Sequence, residues 1–283
     1  MLYKADMAKE IANNLVIFLD KVGKYYFFLI TAALYFCVLT LPEYAFGDFS
    51  MYVRYFISYI VINIIGNYYL CIKQGYYRPA QNKETLPGAS WSFCEDCQQI
   101  QPPRCHHCPL CHRCILKRDH HCFFISTCVG QDNQANFAVY CFHASVGLLL
   151  SFAVLSHYLS ASYYEVFSLD FYYYFPLFTL LNCLLGRVDI GTFFLTILLC
   201  GSFFTGICTM LLFLWQLFLI SFDLTSHEVQ QLWHSKGAGL SKMKTQVWYN
   251  MNQSFGIFPL LLFVLPIPLR FRRSSGSIMK SYL

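Results

Sequence analysis

Long runs of apolar residues separated by short polar stretches are the dominant pattern of this chain. Four runs, at 25–41, 51–72, 137–160 and 193–222, contain a single charged residue, Arg54, near the end of its run. A helix of about 20 apolar residues crosses the hydrocarbon core of a bilayer. The pattern therefore predicts four transmembrane helices, with the Arg54 side chain extended towards the membrane surface.

Three further segments are apolar but differ from these four runs. The run at 171–185 is too short for a span and is interrupted by Pro176, so we interpret it as an interfacial or re-entrant segment. Residues 1–24 place apolar side chains at helical spacing, which fits a helix on the membrane surface or, as we prefer, a helix leading into the first span. Residues 257–269 contain three prolines and are expected to lie at the membrane without crossing it.

Composition and charge agree with this topology and exclude an ordinary soluble domain. Hydrophobic residues make up 57% of the chain and charged residues 12%, against about 25% charged residues in soluble proteins. Eighteen of the 20 Lys and Arg residues lie before residue 25, between 73 and 136, or after 235. Because basic segments stay in the cytosol, these three segments are predicted to be cytosolic. The predicted parts are a cytosolic N-terminal segment at 1–24, transmembrane helices 1 and 2 at 25–72, a cytosolic cysteine-rich domain at 73–136, transmembrane helices 3 and 4 with a luminal or interfacial segment between them at 137–222, and a partly membrane-associated cytosolic tail at 223–283.

The cysteine-rich domain concentrates the chemistry of the chain. Eight cysteines and five histidines lie between residues 94 and 128, several of the cysteines two residues apart in C-x2-C pairs. Such pairs form tight turns whose thiolates converge on tetrahedral zinc, and two ions would need eight ligands. Disulfides are disfavoured because the predicted cytosolic location keeps thiols reduced, and buried inert thiols are the other alternative. Because residues 105–114 carry a cysteine at every third position, spacing alone leaves open which of them share a metal.

A second kind of chemistry is indicated by the string Asp-His-His-Cys at 119–122. A thiol, a neighbouring imidazole and a carboxylate have the composition of an activated nucleophile. Lys117 and Arg118 stand just upstream, and cationic neighbours lower the pKa of a thiol. The residues themselves leave two interpretations of Cys122 open, a nucleophile or a further zinc ligand.

The cysteine-rich stretch resembles that of the DHHC-type protein S-acyltransferases (palmitoyltransferases). The resemblance runs from the Cys94-x2-Cys97 pair through the Asp-His-His-Cys string and Cys128-Val-Gly-x2-Asn to Phe137. It implies an all-α polytopic membrane protein with four transmembrane helices and a cytosolic zinc-binding cysteine-rich domain. It also implies two structural zinc ions, one held by Cys94, Cys97, His107 and Cys114 and the other by Cys108, Cys111, His121 and Cys128.

The resemblance further implies a role for each residue of the string. Cys122 would accept the acyl group, His120 would be its general base, and Asp119 would orient His120. The expected reaction is ping-pong transfer of a long-chain acyl group from acyl-CoA, such as palmitoyl-CoA, to cysteines of cytosol-facing membrane-associated proteins, with no nucleic-acid partner. The expected location is an endomembrane of the ER or Golgi rather than the plasma membrane.

Candidate contacts for acyl-CoA follow from charge and shape. Lys117, Arg118 and Arg104 could hold the CoA phosphates, or they could simply be solvated cytosolic charges. Phe124 would offer an aromatic surface to the acyl chain.

Three departures from the family pattern motivate a second hypothesis. Phe123, Phe124 and Thr127 stand where the family typically has Pro, Trp and Asn. The alternative function is therefore a catalytically weak or inactive membrane zinc-domain scaffold.

Motifs outside the cysteine-rich domain extend the resemblance. The string at 225–228, Thr-Ser-His-Glu, is similar to the Thr-Thr-x-Glu motif of the family and could form a hydrogen bond towards Asp119. Asn250-x4-Phe255-Gly resembles a C-terminal packing element. The Asp-Pro-Gly motif usual after the second span is not found in the sequence at 74–79. The basic residues at 270–273 are expected to meet anionic lipid headgroups.

Overall fold

A computed structural model describes residues 2–41, 47–74, 91–163, 169–234, 246–256 and 259–266. Its helices are α1 (Leu2–Thr40), α2 (Ser50–Gln74), α3 (Gln134–Ser162), α4 (Pro176–Leu184), α5 (Ile190–Phe222), α6 (Ser226–His234), α7 (Val247–Phe255) and α8 (Pro259–Val264), with 3-10 turns at Gly47–Phe49 and Leu169–Tyr174. The sequence at 75–79 and the basic residues at 270–273 lie outside the described residues.

Four helices in the described part of the chain are long and apolar enough to cross a membrane. The stretches are Asn14–Thr40, Gly47–Lys73, Gln134–Ser162 and Ile190–Phe222. This confirms the predicted class, a mostly helical polytopic protein with four transmembrane helices. The first helix begins at Leu2 and continues without a break to Thr40, so the N-terminal segment is a helix that leads into the first span.

The segment between the third and fourth spans contains α4, which is too short to cross a bilayer. Its 9 residues reach about 14 Å at 1.5 Å per residue, roughly half of a hydrocarbon core. Pro176 opens this helix, where the missing N–H of proline costs nothing. Asp189 then begins α5 by accepting hydrogen bonds from Thr192 N (3.0 Å) and Thr192 Oγ1 (2.8 Å).

The cysteine-rich domain is built from three antiparallel hairpins that the prediction of an all-α protein did not include. They are β1–β2 (Ser92–Cys94 with Gln99–Gln101), β3–β4 (Cys105–Cys108 with Arg113–Leu116) and β5–β6 (His120–Cys122 with Thr127–Val129). Each turn has four residues, and the last of them has a positive φ: 51° at Gln98, 51° at His112 and 47° at Ser126. The three hairpins thus share one local geometry.

The described chain divides into two compact units. One contains residues from 28–65 and 140–214, with a core of Leu34, Leu155, Leu159 and other apolar side chains. The other contains residues from 1–27, 66–139 and 215–283, and it includes all three hairpins. Every residue of the candidate site discussed below belongs to this second unit.

Candidate metal centres and active site

The three hairpins repeat at an interval of 14 residues. Cys94, Cys108 and Cys122 each end the first strand of a hairpin, 14 residues apart. They pair across their hairpins with Gln99, Arg113 and Thr127. The repeat fixes which positions of the sequence are structurally equivalent, and it therefore explains how the ligands are shared.

Two quartets of cysteine and histidine come together in space. In each quartet the candidate ligand atoms lie within 4.8 Å of one another. The imidazole Nδ1 of His107 is 3.1 Å from Cys97 Sγ, and that of His121 is 3.3 Å from Cys111 Sγ. The quartets are Cys94, Cys97, His107 and Cys114, and Cys108, Cys111, His121 and Cys128.

The donor set of both quartets fits zinc. Three thiolates and one imidazole are a usual tetrahedral set for a structural ion, and four protein ligands leave no open position for water or substrate. The quartets are the same two sets that the resemblance implies. That these residues hold zinc remains a prediction, which the convergence of the donor atoms supports.

Each quartet is shared between neighbouring hairpins. The C-x2-C pair comes from one turn, while the histidine and the last cysteine come from the next hairpin, where they face each other across the strands. His107 pairs with Cys114 across β3–β4, and His121 pairs with Cys128 across β5–β6. Three hairpins therefore build two centres.

This sharing leaves Cys122 outside both metal quartets. In the third hairpin the positions equivalent to C-x2-C are occupied by Cys122 and Ile125. Ile125 is fully buried and cannot bind a metal. The thiol of Cys122 is consequently available for chemistry, which favours its interpretation as a nucleophile over that of a further ligand.

The strand β5 separates the catalytic candidates from the metal centre. Successive side chains of a strand point to opposite faces, so His120 and Cys122 share one face while His121 points to the other, towards its quartet. The imidazole Nδ1 of His120 is 2.9 Å from Asp119 Oδ2, and the Cys122 side chain is close enough to contribute to the raised pKa of His120. The carboxylate and the imidazole are therefore hydrogen-bonded, and the thiol lies on the same face of β5 as the imidazole.

Asp119 is held by three hydrogen-bond donors. Its Oδ2 accepts from His120 and from Gln216 Nε2 (3.1 Å), and its Oδ1 accepts from the backbone N–H of Ser226 (2.6 Å). Gln216 in α5 is fully buried, and its Oε1 accepts from Gln134 Nε2 (3.1 Å). Burial raises the pKa of Asp119, but the three donors and the charge of His120 outweigh it and lower the pKa to about 2.

The imidazole of His120 has an increased affinity for a proton. Burial lowers its pKa, whereas the hydrogen bond to Asp119, the charge of that carboxylate and the interaction with the Cys122 side chain raise it, and the resulting pKa is about 9. Its ring packs edge-on against Phe137, with centroids 5.6 Å apart. His120 is thus oriented on two sides and well suited to accept the thiol proton.

The Thr-Ser-His-Glu string at 225–228 contacts Asp119 through a backbone N–H group. Thr225 and Glu228 form a capping box at the start of α6: Glu228 N donates to Thr225 Oγ1 (3.3 Å) and Thr225 N donates to Glu228 Oε2 (2.7 Å). The hydroxyl of Ser226 accepts a hydrogen bond from Trp215 Nε1. The hydrogen bond to Asp119 therefore comes from the Ser226 amide and does not need a hydroxyl at this position.

The three basic candidates for CoA binding have partners within the chain. Arg104 pairs with Glu228 (2.7 Å) and Asp223 (2.9 Å), and Lys117 pairs with Asp223 (2.7 Å). Burial lowers the pKa of Lys117, and the nearby positive charges of Lys117 and Arg104 lower the pKa of Asp223 against the opposing effect of burial. The guanidinium of Arg118 interacts with two cysteines of the second quartet. A role in CoA binding remains a prediction for all three.

The remaining candidates differ in their exposure. Phe124 is half exposed and its ring lies 6.5 Å from that of Tyr26, so it is accessible to an apolar ligand.

Cys105, which matches no ligand position, is buried. Burial and neighbouring thiols raise its pKa to about 12, which makes it unreactive. The hydroxyl of Thr127 is buried and makes no hydrogen bond.

The C-terminal motif packs as expected. Asn250 Nδ2 donates to the carbonyl of Ser221 (2.8 Å), Phe255 is buried, and Gly256 ends α7 with a φ of 81°. This tethers α7 to the end of the fourth span, beside the residues that hold Asp119.

Sequence reasoning missed several supporting residues. Gln216 and Gln134 orient Asp119 and were not singled out, although Gln216 is the only amide side chain in the apolar run 193–222. A polar residue inside a membrane span is a signal of function. Asp223 and Asp20 carry no such signal, because their partners lie more than 100 residues away in sequence.

Comparison with known proteins agrees with this geometry. Residues 89–232, half of the chain, match the family model described as DHHC palmitoyltransferase. The chain is 30% identical over 199 residues to the Arabidopsis thaliana "Probable protein S-acyltransferase 15", an alignment that covers 66% of this chain and 68% of that protein.

Other relatives match over shorter regions. The chain is 44% identical over 66 residues to "Probable protein S-acyltransferase 12" of Arabidopsis thaliana, covering 23% of each chain. It is 37% identical over 102 residues to "Probable palmitoyltransferase ZDHHC24" of Mus musculus, covering 35% of this chain and 34% of that protein. The chain thus spans about a quarter to a third of the length of these two relatives. The family model matches half of this chain, and the alignment with S-acyltransferase 15 covers 68% of that protein at 30% identity. The chain therefore belongs to the DHHC palmitoyltransferase family.

Proposed function

We propose that this protein is a protein S-acyltransferase that moves a long-chain acyl group from acyl-CoA to cysteine thiols of membrane-associated proteins. The observation that carries the proposal is that His120 and Cys122 share one face of β5, with the His120 imidazole 2.9 Å from Asp119 Oδ2 and a Cys122 thiol that belongs to neither metal quartet. Family membership and the names of the relatives point to the same activity.

In the first half-reaction, His120 accepts the proton of the Cys122 thiol. The thiolate attacks the carbonyl carbon of the acyl thioester, the bond between that carbon and the CoA sulfur breaks, and CoA leaves as a thiolate that takes the proton from the imidazolium. Asp119 stabilises the imidazolium and occupies its Nδ1, which leaves Nε2 as the nitrogen that would accept the thiol proton.

In the second half-reaction, His120 accepts the proton of a substrate cysteine. The substrate thiolate attacks the acyl carbon on Cys122, the acyl-enzyme bond breaks, and the Cys122 thiolate is reprotonated. The two half-reactions give ping-pong kinetics, because CoA leaves before the substrate cysteine reacts.

The two quartets would hold structural zinc. Zinc in a closed site of four protein ligands supplies folding free energy to a loop that has little hydrophobic core of its own. Here the quartets would fix the three hairpins, and His121 would fix the strand that carries both His120 and Cys122.

The membrane topology follows from four spans and the distribution of basic residues. Both termini and the cysteine-rich domain, at 73–136, would be cytosolic, and the short segment containing α4 would be luminal or interfacial. A cytosolic Cys122 would meet acyl-CoA and substrate cysteines in a reducing compartment. An ER or Golgi membrane is the proposed location.

Acyl loading of Cys122 is the direct test of this function. Purified protein in detergent should form a covalent adduct with an alkyne-bearing palmitoyl-CoA analogue, and neutral hydroxylamine should remove it, as expected of a thioester. Cys122→Ala should carry no label at this position. Cys105→Ala is the matched control, since it removes a buried cysteine of the same domain that has no proposed role, and it should label like the wild type.

Replacement of the base separates chemistry from binding. His120→Ala should slow loading by about 10²- to 10⁴-fold, the usual contribution of a positioned base. Absence of label on well-folded, zinc-loaded wild type with every chain length tested would favour the scaffold function instead.

A further inference from the structure

The first transmembrane helix reaches the second metal quartet through a single carboxylate. Asp20, near the middle of α1, lies with its Oδ1 2.9 Å from Nε2 of His121, 101 residues away in sequence. The Nδ1 of the same ring faces the quartet, 3.3 Å from Cys111 Sγ and 3.6 Å from Cys108 Sγ. With Nδ1 as the ligand atom, Nε2 carries the proton and donates it to Asp20.

A carboxylate in this position has a defined effect on a metal centre. It fixes the tautomer and the orientation of the ligating imidazole and makes the ring a stronger ligand. Loss of such a partner typically costs about 10- to 100-fold in metal affinity.

Two further contacts join α1 to the β5–β6 hairpin. The carbonyl oxygen of Asp20 accepts a hydrogen bond from Ser126 Oγ (2.9 Å), the last residue of the β5–β6 turn. Three residues along α1, Gly23 lies so close to Phe123 that an added Cβ would be 2.7 Å from the Phe123 carbonyl oxygen. Residues three apart share one face of a helix, so α1 offers a continuous surface to the hairpin that carries Cys122.

The first quartet provides an internal comparison. His107 is equivalent to His121 in the 14-residue repeat, but its Nε2 is 3.7 Å from Asp96 Oδ2, beyond hydrogen-bonding distance. The Asp96 side chain is 75% exposed, whereas that of Asp20 is 24% exposed. Of the two equivalent histidines, therefore, only His121 is bound by a partly buried carboxylate from a distant element.

We propose that Asp20 is a positioning residue that supports the second metal centre and ties it to α1. By holding His121 and Ser126, it fixes the β5–β6 hairpin on both sides of Cys122. The first helix then has a role besides crossing the membrane: it braces the catalytic hairpin. The inference concerns the retention of metal and does not depend on the proposed acyl transfer.

The release of zinc to a chelator tests this role without turnover. Full-length protein purified in detergent is mixed with a chromophoric chelator, and the release of each zinc ion is followed in time. Asp20→Ala should release one of its two ions about 10- to 100-fold faster than the wild type, while the other ion should leave at the wild-type rate. Asp20→Asn should lie between them, because its amide oxygen still accepts the imidazole proton but carries no charge.

Alkylation followed by mass spectrometry assigns the lost ion. During fast release from Asp20→Ala, the cysteines at 108, 111 and 128 should become labelled before those at 94, 97 and 114. Asp96→Ala, the matched control because its carboxylate is the one nearest Nε2 of the equivalent histidine, His107, should release both ions at the wild-type rate.

A second variant leaves the carboxylate in place. Gly23→Val forces α1 away from Phe123 and should also speed the release of the second ion alone. Wild-type release rates in both Asp20 variants would overturn the proposal, and so would equal acceleration of both ions, which would indicate a general loosening of the fold.

Discussion

At the scale of single residues, Asp119 is the best-supported group of the site. A buried carboxylate is costly unless its oxygens are hydrogen-bonded, and here each oxygen has at least one donor from a different element. The carboxylate therefore stays ionised and fixed in orientation, which is what the neighbouring imidazole requires. The contribution of each donor can be measured separately.

Gln216→Leu removes one donor of Asp119 from within the fourth span. A hydrogen bond to a charged group contributes about 1.5–3 kcal/mol, and part of that loss should appear as misorientation of His120. We expect acyl loading of Cys122 to slow by about 10-fold, with zinc content unchanged. The measurement is the rate of labelling with the palmitoyl-CoA analogue under single-turnover conditions.

Thr196→Val is the control for this variant. Its hydroxyl is also buried in α5, but it donates to the carbonyl of Thr192 in the same helix. It should load at the wild-type rate, and equal slowing of both variants would mean that Gln216 acts only through the packing of the helix.

The buried cation Lys117 gives a prediction about stability. Its side chain is only 6% exposed and its ammonium is bound by Asp223 at 2.7 Å. Asp223→Asn removes the compensating charge, and a buried donor left without its charged partner costs about 1–3 kcal/mol. We expect a lower midpoint of thermal unfolding in detergent, whereas Glu95→Gln, at an exposed acidic residue of the same domain, should leave the midpoint unchanged. An unchanged midpoint in Asp223→Asn would show that Glu228 or solvent compensates.

At the scale of elements, the 14-residue repeat explains why Cys122 lies outside both quartets although it is equivalent to the ligand candidates Cys94 and Cys108. A metal-binding turn needs both cysteines of C-x2-C, and the third turn has only the first of them. Cys122, the proposed nucleophile, thus stands in a turn that has Ile125 where the other two turns have their second cysteine. The spacing of 14 residues was present in the sequence, and it would have resolved which cysteines share a metal.

Ile125→Cys tests this relation by restoring the second position. Two thiolates in such a turn converge on one point, so the variant should bind a thiophilic cation at Cys122. Under reducing conditions, added Cd²⁺ should protect Cys122 from alkylation in Ile125→Cys, and a chelator should reverse the protection. Ile125→Val keeps the turn apolar and should show none. Equal protection in both variants would contradict the equivalence of the three turns.

At the scale of the whole molecule, the spans were predictable and the hairpins and long-range contacts were not. Hydrophobicity accumulates over about 20 residues of a span, so the four runs could be identified from the sequence, whereas the shorter apolar stretch at 171–185 had to be interpreted. The strands of the hairpins have only three or four residues each, which is too short for an alternation of polar and apolar residues to predict them. The contacts of Asp20 and Gln216 depend on helix packing, which a single sequence does not encode locally.

The number of spans fixes the side of the membrane on which each loop lies, and this is the last prediction. Four spans place loops near residues 46 and 165 on the side opposite to the termini, and a site at 240 on the cytosolic side with the cysteine-rich domain. The shortness of α4 and the concentration of basic residues in the three predicted cytosolic segments both argue for this arrangement. Epitope tags inserted after residues 46, 165 and 240 should be protected, protected and accessible, respectively, when only the plasma membrane of cells is permeabilised. An inaccessible tag at 240 would require a fifth crossing and would rule out the four-span topology.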